Sequence, residues 1–117
     1  MNKIAVGKHG EDLAKRYLVD HGYKVVESNY YTRYGEVDII GQKDDVYSFI
    51  EVKTRTNEAY GSPGESVDIK KQKKIILTAT KYLSDHDLHD REVRFDVIEV
   101  LIQNNRFKVN HIVNAFY

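Results

Sequence analysis

Apolar residues recur at helical spacing from Ile4 to His21, where Val6, Leu13, Ala14, Tyr17 and Leu18 share a face and Gly22 supplies a stop. Tyr23 to Ser28 alternates like a short strand, and Gly35 to Ile40 is a second β-rich run. The clearest strand is Val46 to Lys53. Its alternation places Val46, Ser48, Ile50 and Val52 on one face and Tyr47, Phe49, Glu51 and Lys53 on the other. Asp44-Asp45 before it marks a hairpin turn. Thr56 to Ser66 carries the Gly, Ser and Pro of a loop. Asp68 then caps a helix reaching about Leu83, with Ile69, Ile76, Ala79 and Leu83 in register on its inward face. Glu92 to Ile102 is another strand, Asn104-Asn105 a turn, and Arg106 to Val113 a closing strand. The order α, β, β, β, α, β, β predicts a central mixed sheet flanked by helices.

Composition narrows the function classes. A chain of 117 residues fits one domain with a modest core. Eighteen basic and eighteen acidic side chains cancel, which excludes a uniformly cationic nucleic-acid binder and requires any basic surface to be local. The absence of cysteine excludes disulfide scaffolds, Cys-based zinc sites and thiol nucleophiles. No apolar run is long enough to cross a bilayer, so the expectation is a cytoplasmic protein without a membrane partner.

Charged residues stand where a core-building strand prefers apolar ones. Asp38 lies between Val37 and Ile39, and Glu51 and Lys53 share a face with Tyr47 and Phe49. If antiparallel strands bring Asp38 beside Glu51, two carboxylates converge and call for a counter-charge. Magnesium or manganese suits such an oxygen site, leaving positions open for water and a phosphate oxygen. Lys53 would then orient or help deprotonate the attacking water, or neutralise charge on the phosphate. An ordinary exposed pair on a solvent-facing strand gives the same alternation, and both readings stand at this point.

The spacing of Asp38 and, thirteen residues on, Glu51-x-Lys53 is that of the PD-(D/E)xK phosphodiesterases. Further segments extend the likeness: Gly7-Lys8-His9-Gly10-Glu11, Gly35-Glu36-Val37-Asp38-Ile39-Ile40, Phe49-Ile50-Glu51-Val52-Lys53-Thr54-Arg55, Gly61-Ser62-Pro63, Lys71-Gln72-Lys73 and Arg94-Phe95-Asp96-Val97. Together they resemble the successive motifs of the YraN family, an uncharacterised bacterial family similar to archaeal Holliday junction resolvases. The resemblance implies a single α/β restriction-endonuclease-like domain over residues 1–117. It also implies a magnesium-dependent endonuclease acting on DNA, with branched DNA as the favoured substrate and a homodimer as the working unit. It makes Asp38 and Glu51 the metal ligands, Lys53 the catalytic lysine and Glu11 an additional acid from the first helix. The rival is a non-catalytic nucleic-acid-binding or scaffold protein that keeps the fold.

Helical geometry puts Glu11 at the edge of its helix's apolar face, near Ala14 and Leu18, whether as a cleft residue or a solvated boundary carboxylate. Gln72 falls near the centre of the predicted stripe, where its amide needs either a polar site or a backbone carbonyl. For DNA contact, Asn29 to Tyr34 interleaves aromatics with Arg33, suited to stacking and phosphate grip, while a hairpin whose tyrosines pack at a subunit interface or on the sheet gives the same pattern. Arg55 continues the face of Glu51 and Lys53. Among the lysines of the second helix, the predicted stripe leaves Lys73 flanking the cleft and Lys70, Lys74 and Lys81 outward. The five histidines show no zinc spacing and are expected at the surface or as caps. Asp96 is expected to partner an arginine or a backbone amide.

Overall fold

The computed structural model describes residues 2–56 and 67–117. The loop expected over Thr56 to Ser66, with its Gly61-Ser62-Pro63 motif, lies outside the described residues except for Thr56. Helix α1 (Lys3–Asp20) is followed by strands β1 (Lys24–Thr32), β2 (Gly35–Lys43) and β3 (Val46–Arg55). Helix α2 (Ile69–Asp85) and strands β4 (Glu92–Gln103) and β5 (Arg106–Ile112) complete it. The five strands form one sheet in chain order, antiparallel except for β3 and β4, which run parallel. A parallel neighbour needs a crossover, and α2 lies within that connection.

Each boundary has a local cause. Asn2 caps α1 by accepting the Ala5 N–H at 2.8 Å, and Asp68 caps α2 by accepting that of Lys71 at 2.8 Å. Asp44 adopts positive φ in the β2–β3 turn, as do Asn104 and Asn105 between β4 and β5, the conformation that tight hairpins favour.

The sheet buries both faces. On one side Leu13, Ala14 and Leu18 of α1 pack on Ile39, Ile50, Ile98 and Val100; on the other, Ile75, Ala79 and Tyr82 of α2 pack on Val37, Ile40, Tyr47, Phe49, Phe95 and Val97. Gly10 lets α1 approach β3, since a Cβ there would overlap the Thr54 side chain.

Two expected details change. The first strand, expected to end at Ser28, runs on to Thr32, so Asn29 to Thr32 belong to a hairpin whose turn is Arg33-Tyr34. Of the expected stripe on α2, Ala79 is buried and Ile76 and Leu83 pack partly buried against the core, but the centre of the inward face is Ile75, Thr78, Ala79 and Tyr82, and Ile69 is 68% exposed. Thr78, though polar, buries its hydroxyl cheaply by donating to Lys74 O at 2.8 Å.

Candidate functional site

The β2–β3 ladder runs from Lys43↔Val46 to Ile39↔Ile50 and then ends. The next residues across the gap are Asp38 and Glu51. Beyond the split β3 stays paired to β4 as far as Arg55↔Leu101, so it loses a neighbour on one side only. The orphaned N–H of Val52 donates to Asp38 Oδ2 at 2.8 Å, a side-chain replacement for the missing strand carbonyl. Asn29, opposite in β1, takes positive φ at 51°. Its Nδ2 donates to Glu11 Oε1 at 3.0 Å and to Glu36 Oε1 at 2.9 Å.

Glu51 is only 3% exposed, so it is no ordinary solvent-face carboxylate. It faces the α2 side with Tyr47 and Phe49, as alternation requires. Lys53 Nζ lies 3.7 Å from Glu51 Oε2, and the ammonium of Lys71, from the first turn of α2, contacts the same oxygen. Asp38 shares a hydrogen bond with Glu51.

The electrostatics follow from this crowding. Burial, together with the hydrogen bond and negative charge of Glu51, pushes the Asp38 carboxyl up to about 8, against the opposing pull of the Val52 amide. Burial and the neighbouring Lys71 charge lower the Lys53 pKa, although Glu51 opposes them. Burial also works against the Lys71 charge, but its hydrogen bond and attraction to Glu51 outweigh that and raise its pKa.

Glu11 sits on the rim of a cleft of about 460 Å³ lined also by Lys3, Val6, Gly7, Val52, Lys53, Thr54 and Thr56. Its charge adds to the upward pressure on Asp38. Asp38, Glu51, Lys53 and Glu11 therefore gather around one end of the sheet. Arg55 lies farther along the same face of β3, its Nε 3.7 Å from Glu99 Oε2.

The other expected nucleic-acid residues part company with the site. Gln72 spends its amide on a backbone carbonyl, donating to Val67 O at 3.0 Å. Lys73 is exposed and, at about 100° per residue from the buried Ile75, points roughly away from the sheet rather than flanking the cleft. Arg33 donates to the Tyr34 hydroxyl at 2.8 Å and stacks over its ring at 5.0 Å, on an exposed turn. Tyr30 packs edge-on against Tyr82 at 5.2 Å, while Tyr31 is 71% exposed.

Lys71 is the site residue that sequence reasoning missed. Counting back from Tyr82, Thr78 and Ile75 by helical steps reaches it, and the first turn of α2 carries no acid to balance its charge. A lysine at the positive end of a helix dipole is a local conflict that signals a distant partner.

A separate buried network surrounds Asp96. Arg94 Nε donates to Asp96 Oδ1 at 3.0 Å, His111 Nε2 lies 2.7 Å from Oδ2, and the Asn114 N–H donates to Oδ1 at 3.1 Å. The expectation of an arginine and an amide partner for Asp96 is met. His111 corrects the expectation for the histidines, for it is a buried partner of Asp96 and Tyr17. His21 and His86 are the C-caps of the two helices.

Among the described residues, no group of three or more His, Asp or Glu side chains forms a metal cage. Asp38 and Glu51 do offer a pair of oxygen donors whose mutual repulsion a divalent cation would relieve, and magnesium takes few protein carboxylates. The donor chemistry thus fits that ion. No helix among the described residues is long and apolar enough to cross a membrane.

Fold and site together define an α/β protein with a five-stranded mixed sheet, two carboxylates at a strand split and two lysines upon one of them. The description "Uncharacterised protein family UPF0102" matches residues 10–100, and this chain belongs to that family, the one its motifs resemble under the name YraN. A UPF0102 protein of Rhodococcus jostii is 44% identical over 116 residues, covering 98% of each chain. One from Clostridioides difficile is 46% identical over 116 residues, covering 99% of this chain and all of its own. One from Alkaliphilus oremlandii is 45% identical over 118 residues.

Proposed function

We propose that this protein is a magnesium- or manganese-dependent endonuclease that hydrolyses phosphodiester bonds in DNA, built on a restriction-endonuclease-like fold. The observation that carries the reading is the pressing together of Asp38 and Glu51 where β2 and β3 split, with Lys53 Nζ 3.7 Å from Glu51 Oε2. A divalent cation bound there would replace the Asp38 proton and the lysine contacts as the counter-charge of the pair.

Asp38 and Glu51 would hold that cation. Bound there, it would polarise the phosphate and lower the pKa of an attacking water. Lys53, with its own pKa lowered, is suited to position that water or to meet charge building on the phosphate. The Val52 N–H fixes one Asp38 oxygen, which restricts the carboxyl to a single orientation. Glu11 adds a third carboxylate at the cleft rim, held by Asn29. Arg55, farther along the strand, is the cation suited to an adjoining phosphate. The likeness to Holliday junction resolvases favours branched DNA and a dimer as the unit that cuts two strands.

Cleavage assays with magnesium on linear, single-stranded, flap and four-way DNA test the reading. Cleavage that vanishes in Asp38→Asn with Glu51→Gln supports it. Tight DNA binding with no cleavage, unchanged in that double variant, would instead identify a non-catalytic binding protein.

A further inference from the structure

Lys71 raises a question that Lys53 does not. Lys53 stands on the same strand as Glu51, two residues away, so its position follows from β3 itself. Lys71 comes from another element, on a helix turn whose dipole disfavours it, and its side chain is still 44% exposed. Burial therefore does not explain why it bends onto Glu51; the charge of the buried Glu51 carboxylate does. Two ammonium groups then crowd one oxygen, and a divalent cation on that oxygen would repel both. Of the two, Lys71 has the free path, because its long stem already reaches solvent.

We infer that Lys71 is an exchangeable counter-ion of the site, holding Glu51 until a divalent cation displaces it and then passing its ammonium to a phosphate oxygen of bound DNA. The inference rests on the reading of the site as a cation-dependent nuclease and adds a second lysine to it. No bond is made or broken in the exchange; one ion pair replaces another.

Two measurements decide it. In the first, the intact protein is acetylated at constant pH and the rates at Lys71 and its exposed neighbour Lys70 are compared by peptide mass spectrometry. Lys71 should react several-fold more slowly than Lys70 without metal, and either magnesium or Glu51→Gln should abolish that protection. In the second, the salt dependence of duplex binding is compared for wild type and Lys71→Gln, with calcium and with chelator. Loss of one phosphate contact should flatten the slope of log affinity against log salt by about 0.9 with the cation and leave it unchanged without.

Lys71 that reacts as fast as Lys70 in metal-free protein overturns the inference and leaves the nuclease reading intact. So does a slope that changes equally, or not at all, in both conditions. Protection lifted by Glu51→Gln but untouched by magnesium would mean that no cation reaches Glu51, and both readings would fall.

Discussion

The Val52 backbone N–H donates to the Asp38 carboxylate at 2.8 Å one step past the last β2–β3 pair, so a side chain closes the ladder that a strand carbonyl leaves open. This contact ties the architecture of the sheet to the chemistry of the site. The split leaves the Val52 N–H without a strand carbonyl, and in meeting it Asp38 is held beside Glu51.

The Asp38 carboxyl, held near 8 when its ordinary value is 3.8, makes metal-free stability fall as pH rises. The sign is that of a raised pKa: the native state holds a proton the unfolded chain has released, so this contribution is present at low pH and lost through about pH 8. Asp38→Asn removes the slope and should raise the metal-free melting temperature by roughly 4 °C at high pH. Thermal denaturation in chelator across pH checks this. Because a cation competes with the same proton, the magnesium-induced rise in melting temperature should grow toward pH 8 in wild type and be absent in the variant.

Lys53→Ala separates chemistry from binding. If the ammonium acts on the transition state, the single-turnover cleavage rate should drop by a factor of about 100 or more while DNA affinity changes little. A parallel loss of affinity would make Lys53 a phosphate anchor instead.

Asp96 is fully buried beneath Arg94, His111 and the Asn114 N–H, whose donors together overcome burial and lower its pKa. Asp96→Ala strands these partners and should cost about 3–5 kcal/mol in urea unfolding. Since a depressed carboxylate contributes stability above its unfolded pKa, this share is lost as pH falls below the ordinary value of 3.8.

Gly10→Ala tests the approach of α1 to β3. In an open helix the change would stabilise, but here the new methyl meets Thr54, so a loss of roughly 1–3 kcal/mol is expected. Thr54→Ala in the same chain should recover part of it, because the residue 54 Cβ stays 2.8 Å from the new methyl, whereas Thr54→Gly removes the overlap; a double-mutant cycle in denaturant would measure both.

What was legible in the sequence depended on local rules. Strand alternation put Glu51, Lys53 and Arg55 on one face, Asp68 announced a helix start, and the turn residues at Asp44 and Asn104 marked two hairpins, because each signal is contained within a few neighbouring residues. The motif spacing likewise brought Asp38 and Glu51 to attention.

The inward face of α2 was not settled locally. Isoleucines at two helix angles competed for it, and only docking against Val37 and Phe49 selected Ile75, Thr78, Ala79 and Tyr82. With that choice Lys71 turned to the site, Lys73 turned away and Gln72 met Val67 O. The chain's own periodicity and charge placement determined its elements and the acids it could offer. Which side chains share that pocket was decided only by the tertiary structure, because a helix rotation of one residue, about 100°, costs little in local propensity and much in packing.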